Sequence, residues 1–213
     1  MSLPRLFVIG DSISMHYGPY LERYLAGAFE YRRKTGQEPP VTASALARDA
    51  NGGDSSAVLA YLDIMLEAQA LQADVLLINC GLHDIKTNPE TGARQVPLDL
   101  YRRNLEGIVA RVKAAGIRMV WCRTTPCDEK VHNSRPVGFH RYAADCLAYN
   151  QAADAIMAAA GIPAIDLHGF TASIGPELYC DHVHFHEPVR EKQAAFIAGW
   201  LMALICPAAG LNC

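Results

Sequence analysis

The sequence predicts an α/β protein in which a mainly parallel sheet of about five strands lies between two layers of helices. Short apolar runs alternate with longer segments whose apolar residues recur at helical spacing. Strands that are separated by helices pair in parallel, and the helices then cover both faces of the sheet. We expect residues 1–213 to form a single domain, because this length suits one core and the chain shows neither a linker nor a repeat.

Five apolar runs are expected to form the strands. In chain order they are RLFVIG (5–10), VTASAL (41–46), DVLLIN (74–79), IRMVWC (117–122) and PAID (163–166). The run at 74–79 is the strongest candidate for a central strand, since strands covered on both faces are apolar throughout. The run at 41–46 is the weakest.

Helical stripes occupy the intervals between these runs. The apolar positions that define them are Leu21, Tyr24, Leu25 and Ala28, then Val58, Leu59, Leu62, Met65 and Leu66, then Leu105, Ile108, Val109 and Val112. A long helix is expected over about 140–160, ending at Gly161, because glycine commonly terminates helices. A last helix carries Val189, Phe196, Ile197, Trp200, Leu201 and Leu204.

Composition and charge exclude several classes of function. The net charge is -3 with a pI near 6.2, and without a basic run this argues against a nucleic-acid partner. No apolar stretch reaches the length of a membrane span. The N-terminus lacks a signal-peptide pattern, so we expect a cytoplasmic protein unless a leader has been removed. Seven cysteines without a CxxC pair argue against a disulfide framework and a thiolate zinc site, and Cys80 and Cys122 are expected to be packed thiols.

Three segments follow predicted strand ends and should form the functional edge of the sheet. They are GDSIS (10–14), CGLHDIKTNPETGARQVP (80–97) and RTTPCDEKVHNSRPVGFHR (123–141). The two longer segments contain four arginines: Arg94, Arg123, Arg135 and Arg141. These side chains could recognise a carboxylate or a sugar, or they could simply be solvated. Four further histidines are expected to be surface or packing residues: His16, His132, His140 and His168. Of these, His16 could also line the pocket.

Within GDSIS, Ser12 leaves the first strand and enters a helix. A serine there is either an exposed nucleophile or a helix N-cap. Near the C-terminus, Asp181 and His184 are three residues apart, so the carboxylate can orient the imidazole as a base. Metal binding by the neighbouring Asp181, His182, His184 and His186 is the alternative. In NGGDSS (51–56), Gly53 could offer an oxyanion N–H, or the segment is an ordinary turn with Asp54 or Ser55 as a cap.

These segments, in this order, resemble the SGNH hydrolases, or GDSL esterase/lipase family, from Phe7 to about Leu204. GDSIS matches the first motif block, NGGDSS is similar to the second, and DHVH (181–184) matches the fifth. Tyr149–Asn150 is also similar to many bacterial members. The resemblance implies a flavodoxin-like sandwich in which Ser12, His184 and Asp181 form a catalytic triad. It also implies that the backbone N–H groups of Ser12 and Gly53 hold the oxyanion, with no cofactor or metal.

One position departs from the family pattern. GLHD (81–84) falls where the family carries Gly-x-Asn-Asp, so His83 replaces the asparagine whose side chain donates to the oxyanion. A neutral imidazole has one N–H donor, so donation is chemically possible. The alternative is that His83 only packs, or bonds a loop.

The resemblance implies a serine-dependent esterase that acts through an acyl-enzyme on a small-molecule ester. Because no long apolar lid segment is evident and the pocket segments are polar, we expect short acyl groups, such as acetyl on a carbohydrate. A thioesterase or lysophospholipase with the same triad is one alternative. A catalytically weak protein that binds acylated sugars is another, and a metal-dependent hydrolase that uses the histidine cluster is the third.

Overall fold

The computed structural model describes residues 2–38, 48–136 and 138–205. Five strands form one sheet: β1 (Arg5–Ile9), β2 (Glu30–Arg33), β3 (Val75–Ile78), β4 (Arg118–Cys122) and β5 (Ala164–Ile165). All neighbours pair in parallel, in the order β2-β1-β3-β4-β5. The predicted α/β fold with a parallel sheet of about five strands is therefore confirmed.

The helices of the described chain are α1 (Ser12–Leu25), α2 (Ser55–Glu67), α3 (Leu98–Ala114), α4 (Glu129–Asn133), α5 (Ala143–Ala160), α6 (Leu167–Ser173) and α7 (Glu187–Ile205). Their contacts fall into two groups, because α7 packs against α1 and α6, whereas α3 packs against α2 and α5. The left-handed conformation of Gly161 ends α5, as its position predicts.

The second strand of the described chain, β2, was not predicted from the sequence. The run 41–46 lies outside the described residues, whereas β2 covers the sequence EYRR, which has no apolar run. As an edge strand β2 pairs only with β1, and its side chains alternate between exposed and half-buried positions. Hydrophobic patterning cannot reveal such a strand. The first helix begins at Ser12, as the sequence indicated, but it ends at Leu25, so Ala28 of the predicted stripe lies beyond it.

The predicted central strand is confirmed, since all four residues of β3 are buried. Parallel pairing brings the carboxyl ends of β1, β3 and β4 to one edge of the sheet. There the side chain of Asn79, just past β3, donates to the carbonyl of Cys122 at 2.8 Å. Cys80 and Cys122 are free and buried. Among the helices described, none has the length and hydropathy needed to cross a membrane.

Candidate active site

Ser12 is the first residue of α1, directly beyond the carboxyl end of β1. Asp11 is the N-cap, and its Oδ1 accepts the backbone N–H of Ile13 at 3.0 Å. Because Asp11 caps the helix, the Ser12 hydroxyl is left for another partner. Its Oγ lies 2.9 Å from Nε2 of His184.

A turn before α7 fixes the carboxylate of Asp181. Its Oδ1 accepts the backbone N–H groups of Val183 and His184, both at 2.8 Å, and its Oδ2 lies 2.7 Å from Nδ1 of His184. Burial alone would raise the pKa of Asp181, but these hydrogen bonds outweigh burial and hold it well below its ordinary value. The group is therefore an anion at neutral pH.

The charge of Asp181 determines the tautomer of His184. A carboxylate can only accept a hydrogen bond, so Nδ1 of His184 must carry a proton. In the neutral ring Nε2 is then an acceptor, and the Ser12 hydroxyl donates to it. This arrangement can take a proton from Ser12.

Two further imidazoles adjoin His184. His16 lies one helical turn beyond Ser12, and its ring centroid is 4.6 Å from that of His184. Burial, followed by the charges of Arg190 and His184, lowers the pKa of His16. His16 therefore offers a neutral wall beside the candidate base.

His182 points to a different partner, the buried His132 of α4. Their Nδ1 atoms are 2.6 Å apart, so one ring must donate and the other accept. Burial, then Arg141 and His182, lowers the pKa of His132 to about 4. The pair ties the Asp181 turn to α4, and nothing in the sequence indicated it.

The alternative of a metal site gains no geometric support from the chain that the structure describes. His184 contacts Ser12 and Asp181, His182 contacts His132, and His186 is exposed. No group of three or more His, Cys, Asp or Glu residues in that part could hold a metal ion.

The loop before α2 meets the Ser12 loop through a backbone hydrogen bond. The N–H of Gly52 donates to the carbonyl of Gly10 at 2.8 Å, and a Cβ on Gly52 would lie 3.0 Å from that oxygen. Gly53 has a φ of 72°, which glycine adopts without strain. The buried Lys34 braces this loop, because its Nζ donates to the carbonyls of Asp49 and Asn51.

The N–H of Gly53, the expected oxyanion donor, already has a partner. It donates to Oδ1 of Asn51 at 2.9 Å, within a local turn that asparagine favours. Asp54 is the N-cap of α2, since its Oδ1 accepts the N–H of Ala57 at 2.9 Å. A cap at Asp54 was expected, but the engagement of Gly53 was not.

His83 is half-buried in the loop after β3, and its ring makes no hydrogen bond to any residue that the structure describes. Burial, followed by the charges of Lys86 and Arg141, lowers its pKa to about 4. At neutral pH the ring is therefore neutral and has one N–H. The adjacent Asp84 is buried and accepts the N–H of Ser55 at 2.9 Å, which links this loop to α2.

The other predicted positions hold the surrounding loops. Asn150 bonds both backbone groups of Thr124, at 2.9 and 2.8 Å, just past β4. The ring Nδ1 of His168 lies 2.9 Å from the same carbonyl. His140 pairs with Thr87 through backbone bonds of 2.8 Å. Their contacts are structural.

Comparison with known proteins yields one family and many similar folds. The sequence pattern of the GDSL-like lipase/acylhydrolase family matches residues 8–188. No curated protein sequence matches this chain significantly.

Three solved structures illustrate the similar folds. A lipase/acylhydrolase from Enterococcus faecalis has a TM-score of 0.67 at 16% identity, with 95% of this chain and 97% of that chain covered. An acetyl xylan esterase has a TM-score of 0.69 at 15% identity, with 92% and 99% covered. A GDSL-like lipase from Bacteroides thetaiotaomicron has a TM-score of 0.67 at 16% identity, with 96% and 93% covered. At these identities the likeness concerns the fold alone.

Proposed function

The chain belongs to the GDSL-like lipase/acylhydrolase family, and we propose that it hydrolyses carboxylic esters through an acyl-enzyme on Ser12. The observation that carries this proposal is the hydrogen-bonded series Ser12–His184–Asp181, with separations of 2.9 and 2.7 Å. A serine nucleophile is activated by this order of hydrogen-bonded groups, in which the hydroxyl bonds an imidazole and the imidazole bonds a carboxylate.

The residues of the series have different roles. Nε2 of His184 takes the proton as the Ser12 oxygen attacks the ester carbonyl. Asp181 holds the ring in the required tautomer and stabilises the imidazolium. His184 then returns the proton to the leaving alcohol, and later accepts one from the water that releases the acid.

The tetrahedral intermediate needs donors for its oxyanion. The N–H of Ser12 lies in the first turn of α1, where no intrahelical acceptor exists. We propose that Ser12 and Gly53 donate through their backbone and His83 through its single ring N–H. Gly53 can donate only if its bond to Asn51 opens.

The proposed substrates are small-molecule esters with short acyl groups, such as acetyl on a carbohydrate. The polar residues near the site support this. His16 packs beside the candidate base, Asn51 bonds the candidate oxyanion donor Gly53, and His83 lies in the loop after β3. The acetyl xylan esterase with a similar fold agrees with such a substrate. A panel of nitrophenyl esters of graded chain length, with and without a chelator, separates this function from a lysophospholipase or a metallohydrolase. A matched thioester separates it from a thioesterase.

A catalytically weak protein that binds acylated sugars is the second candidate. It is favoured by the oxyanion side, where the Gly53 N–H is already bonded and His83 replaces the family asparagine. Turnover of any ester in the panel, abolished by Ser12→Ala, would argue against it.

The direct test of the proposal is labelling by a fluorophosphonate that reacts with activated serines. Ser12 should be modified, and Ser12→Ala should abolish both labelling and hydrolysis. Ser173→Ala is the matched control, because its exposed hydroxyl makes only a local bond to the Phe170 carbonyl. Modification at Ser14 or Ser55 instead of Ser12 would refute the assignment.

A further inference from the structure

The four arginines that follow strand ends have different surroundings. Arg94 and Arg123 each bond an aspartate, at 2.5 and 2.6 Å. Arg135 is exposed. Arg141 alone of the four is only 4% exposed and forms no ion pair with a described residue. Burying a guanidinium without a partner anion costs free energy, so the position of Arg141 calls for an explanation.

The contacts of Arg141 fix it in place without neutralising it. Its Nε donates to the carbonyl of Leu82 at 2.7 Å, next to His83. Its backbone N–H and carbonyl both bond the amide of Asn133 at 2.9 Å. Its two terminal nitrogens have no hydrogen-bond partner in the described chain, and they are not fully buried, so they keep contact with solvent.

A second cation lies beside the same aromatic ring. The guanidinium carbon of Arg141 is 4.9 Å from the Phe139 ring centroid, and Nζ of Lys86 is 5.0 Å from it. Lys86 forms no ion pair with a described residue either, and it is three residues beyond His83. Burial, then the charge of Arg141, lowers the pKa of Lys86. Two cations gathered without a counter-ion repel each other.

Nearby carboxylates do not offset this charge well. Asp11 and Asp84 are buried, and burial raises the pKa of both, that of Asp84 to about 7. Asp54 is occupied as a helix cap and accepts from Gln95 at 2.5 Å. The charge of Asp54 still acts to raise the pKa of Lys86, but neither Lys86 nor Arg141 forms an ion pair with a described carboxylate, so their N–H groups remain available to an external anion.

We propose that Lys86, Phe139 and Arg141 form a subsite for a carboxylate carried by the ester substrate, an inference that rests on the proposed esterase function. The free edge of the guanidinium offers parallel N–H donors that match a carboxylate. Lys86 adds a point charge, and the Phe139 ring packs against the carbons beside the carboxylate. The preferred substrates are thus acidic esters.

The test compares esters that differ only in charge. On the alcohol side, 4-acetoxybenzoate is paired with its methyl ester. On the acyl side, the 4-nitrophenyl monoester of adipate is paired with 4-nitrophenyl methyl adipate. In at least one pair, kcat/KM should favour the acidic ester by about tenfold or more, the scale of one hydrogen bond to a charged group. The preference should weaken with added salt, because this subsite reaches solvent.

Variants assign that preference to the subsite. Arg141→Gln should lower the acidic-to-neutral ratio by about 10- to 100-fold, and Lys86→Gln by roughly 3- to 10-fold. Lys86→Gln also serves if the buried Arg141 proves necessary for folding. Arg135→Gln is the matched control, an exposed arginine of the same loop, and should leave the ratio unchanged.

The outcomes separate this inference from the proposed function. Hydrolysis of both neutral esters with ratios near one would overturn the subsite and leave the esterase intact. Preference for 4-acetoxyphenyl phosphate over 4-acetoxybenzoate would overturn the carboxylate assignment.

If no ester is hydrolysed, the esterase proposal fails, and calorimetry with Ser12→Ala decides on the subsite. Tighter binding of 4-acetoxybenzoate than of its methyl ester would support it, and equal or absent binding would overturn it.

Discussion

The two sides of the candidate site differ in how their polar atoms are paired. On the proton-transfer side, Ser12, His184 and Asp181 form an unbroken series with separations of 2.9 and 2.7 Å. On the oxyanion side, the Gly53 N–H is bonded to Asn51 and the His83 ring has no described partner. The first side is complete without substrate, whereas the second still has to exchange or gain a hydrogen bond.

This difference follows from what each side must do. Proton transfer requires that the hydroxyl and the base already be hydrogen-bonded when the carbonyl arrives. Oxyanion donors must instead be available at the moment when charge develops, and a donor already bonded to another oxygen has to give up that bond. The proton-transfer side should therefore show the larger mutational effects, and the oxyanion side graded ones.

The largest effect is expected on the proton-transfer side. His184→Ala should lower kcat by at least about 10⁴-fold, because no other side chain of the described residues bonds the Ser12 hydroxyl. Asp181→Ala should cost roughly tenfold less, since Asp181 orients and stabilises without transferring a proton. Turnover of one short-chain ester measures both, and His186→Ala, an exposed neighbour, is the control. Near-native turnover of His184→Ala would show that the base is a different ring.

An intermediate effect is expected at His83. His83→Ala should lower kcat by roughly 10²- to 10³-fold with little change in substrate binding, because the oxyanion exists only in the transition state. His83→Asn restores a donor of the family type and should recover much of that loss. If His83→Ala runs within a few-fold of the wild type, the ring is a packing residue, and the backbone donors suffice.

The pKa of His83 gives this comparison a pH signature. With a pKa near 4, the ring is neutral from about pH 5 upward and protonates only below that. The ratio of kcat for wild type to His83→Asn should therefore be flat between about pH 5.5 and 8. It should rise below about pH 5, where an imidazolium donates more strongly than a neutral ring. A step in this ratio near pH 6.5 would show that the ring is more solvated than the structure indicates.

The smallest effect is expected at Asn51. Asn51→Ala removes the oxygen that competes for the Gly53 N–H, so kcat should rise by about 2- to 10-fold, the net worth of one neutral hydrogen bond. Asn51→Asp keeps an acceptor at the same place and should not be faster than the wild type. A loss greater than tenfold in Asn51→Ala would instead mean that Asn51 holds Gly53 in position.

The sequence predicts those parts of the fold whose apolar patterns extend over several turns or a buried strand. The run at 74–79 is such a case, since β3 is buried on both faces. The strand at Glu30–Arg33 is not, because an edge strand with alternating exposure has no apolar run to detect. The short helices α4 and α6 were not predicted for a related reason, since five and seven residues are too few to show an apolar stripe at helical spacing.

Within the site, local motifs predict which residues meet but not which bonds they make. Spacing was enough to suggest that Asp181 reaches His184, because both lie in one turn. The pair formed by His132 and His182 joins residues 50 positions apart, and although His182 lies within DHVH, that motif does not indicate a contact with His132. The burial of Arg141 likewise depends on the Leu82 loop, so composition could not separate it from the other arginines.

The contact between Gly10 and Gly52 limits how this protein can vary. The two backbones meet with no side chain between them, and a methyl group on Gly52 would lie only 3.0 Å from the Gly10 carbonyl oxygen. On the other side, a methyl group on Gly10 would meet Oγ of Ser14 at 2.8 Å. Neither glycine can be replaced by a larger residue unless its neighbour shifts, so a mutant library aimed at new substrates should keep both constant. Such a library would place its diversity at the rim residues Lys86, Phe139 and Arg141.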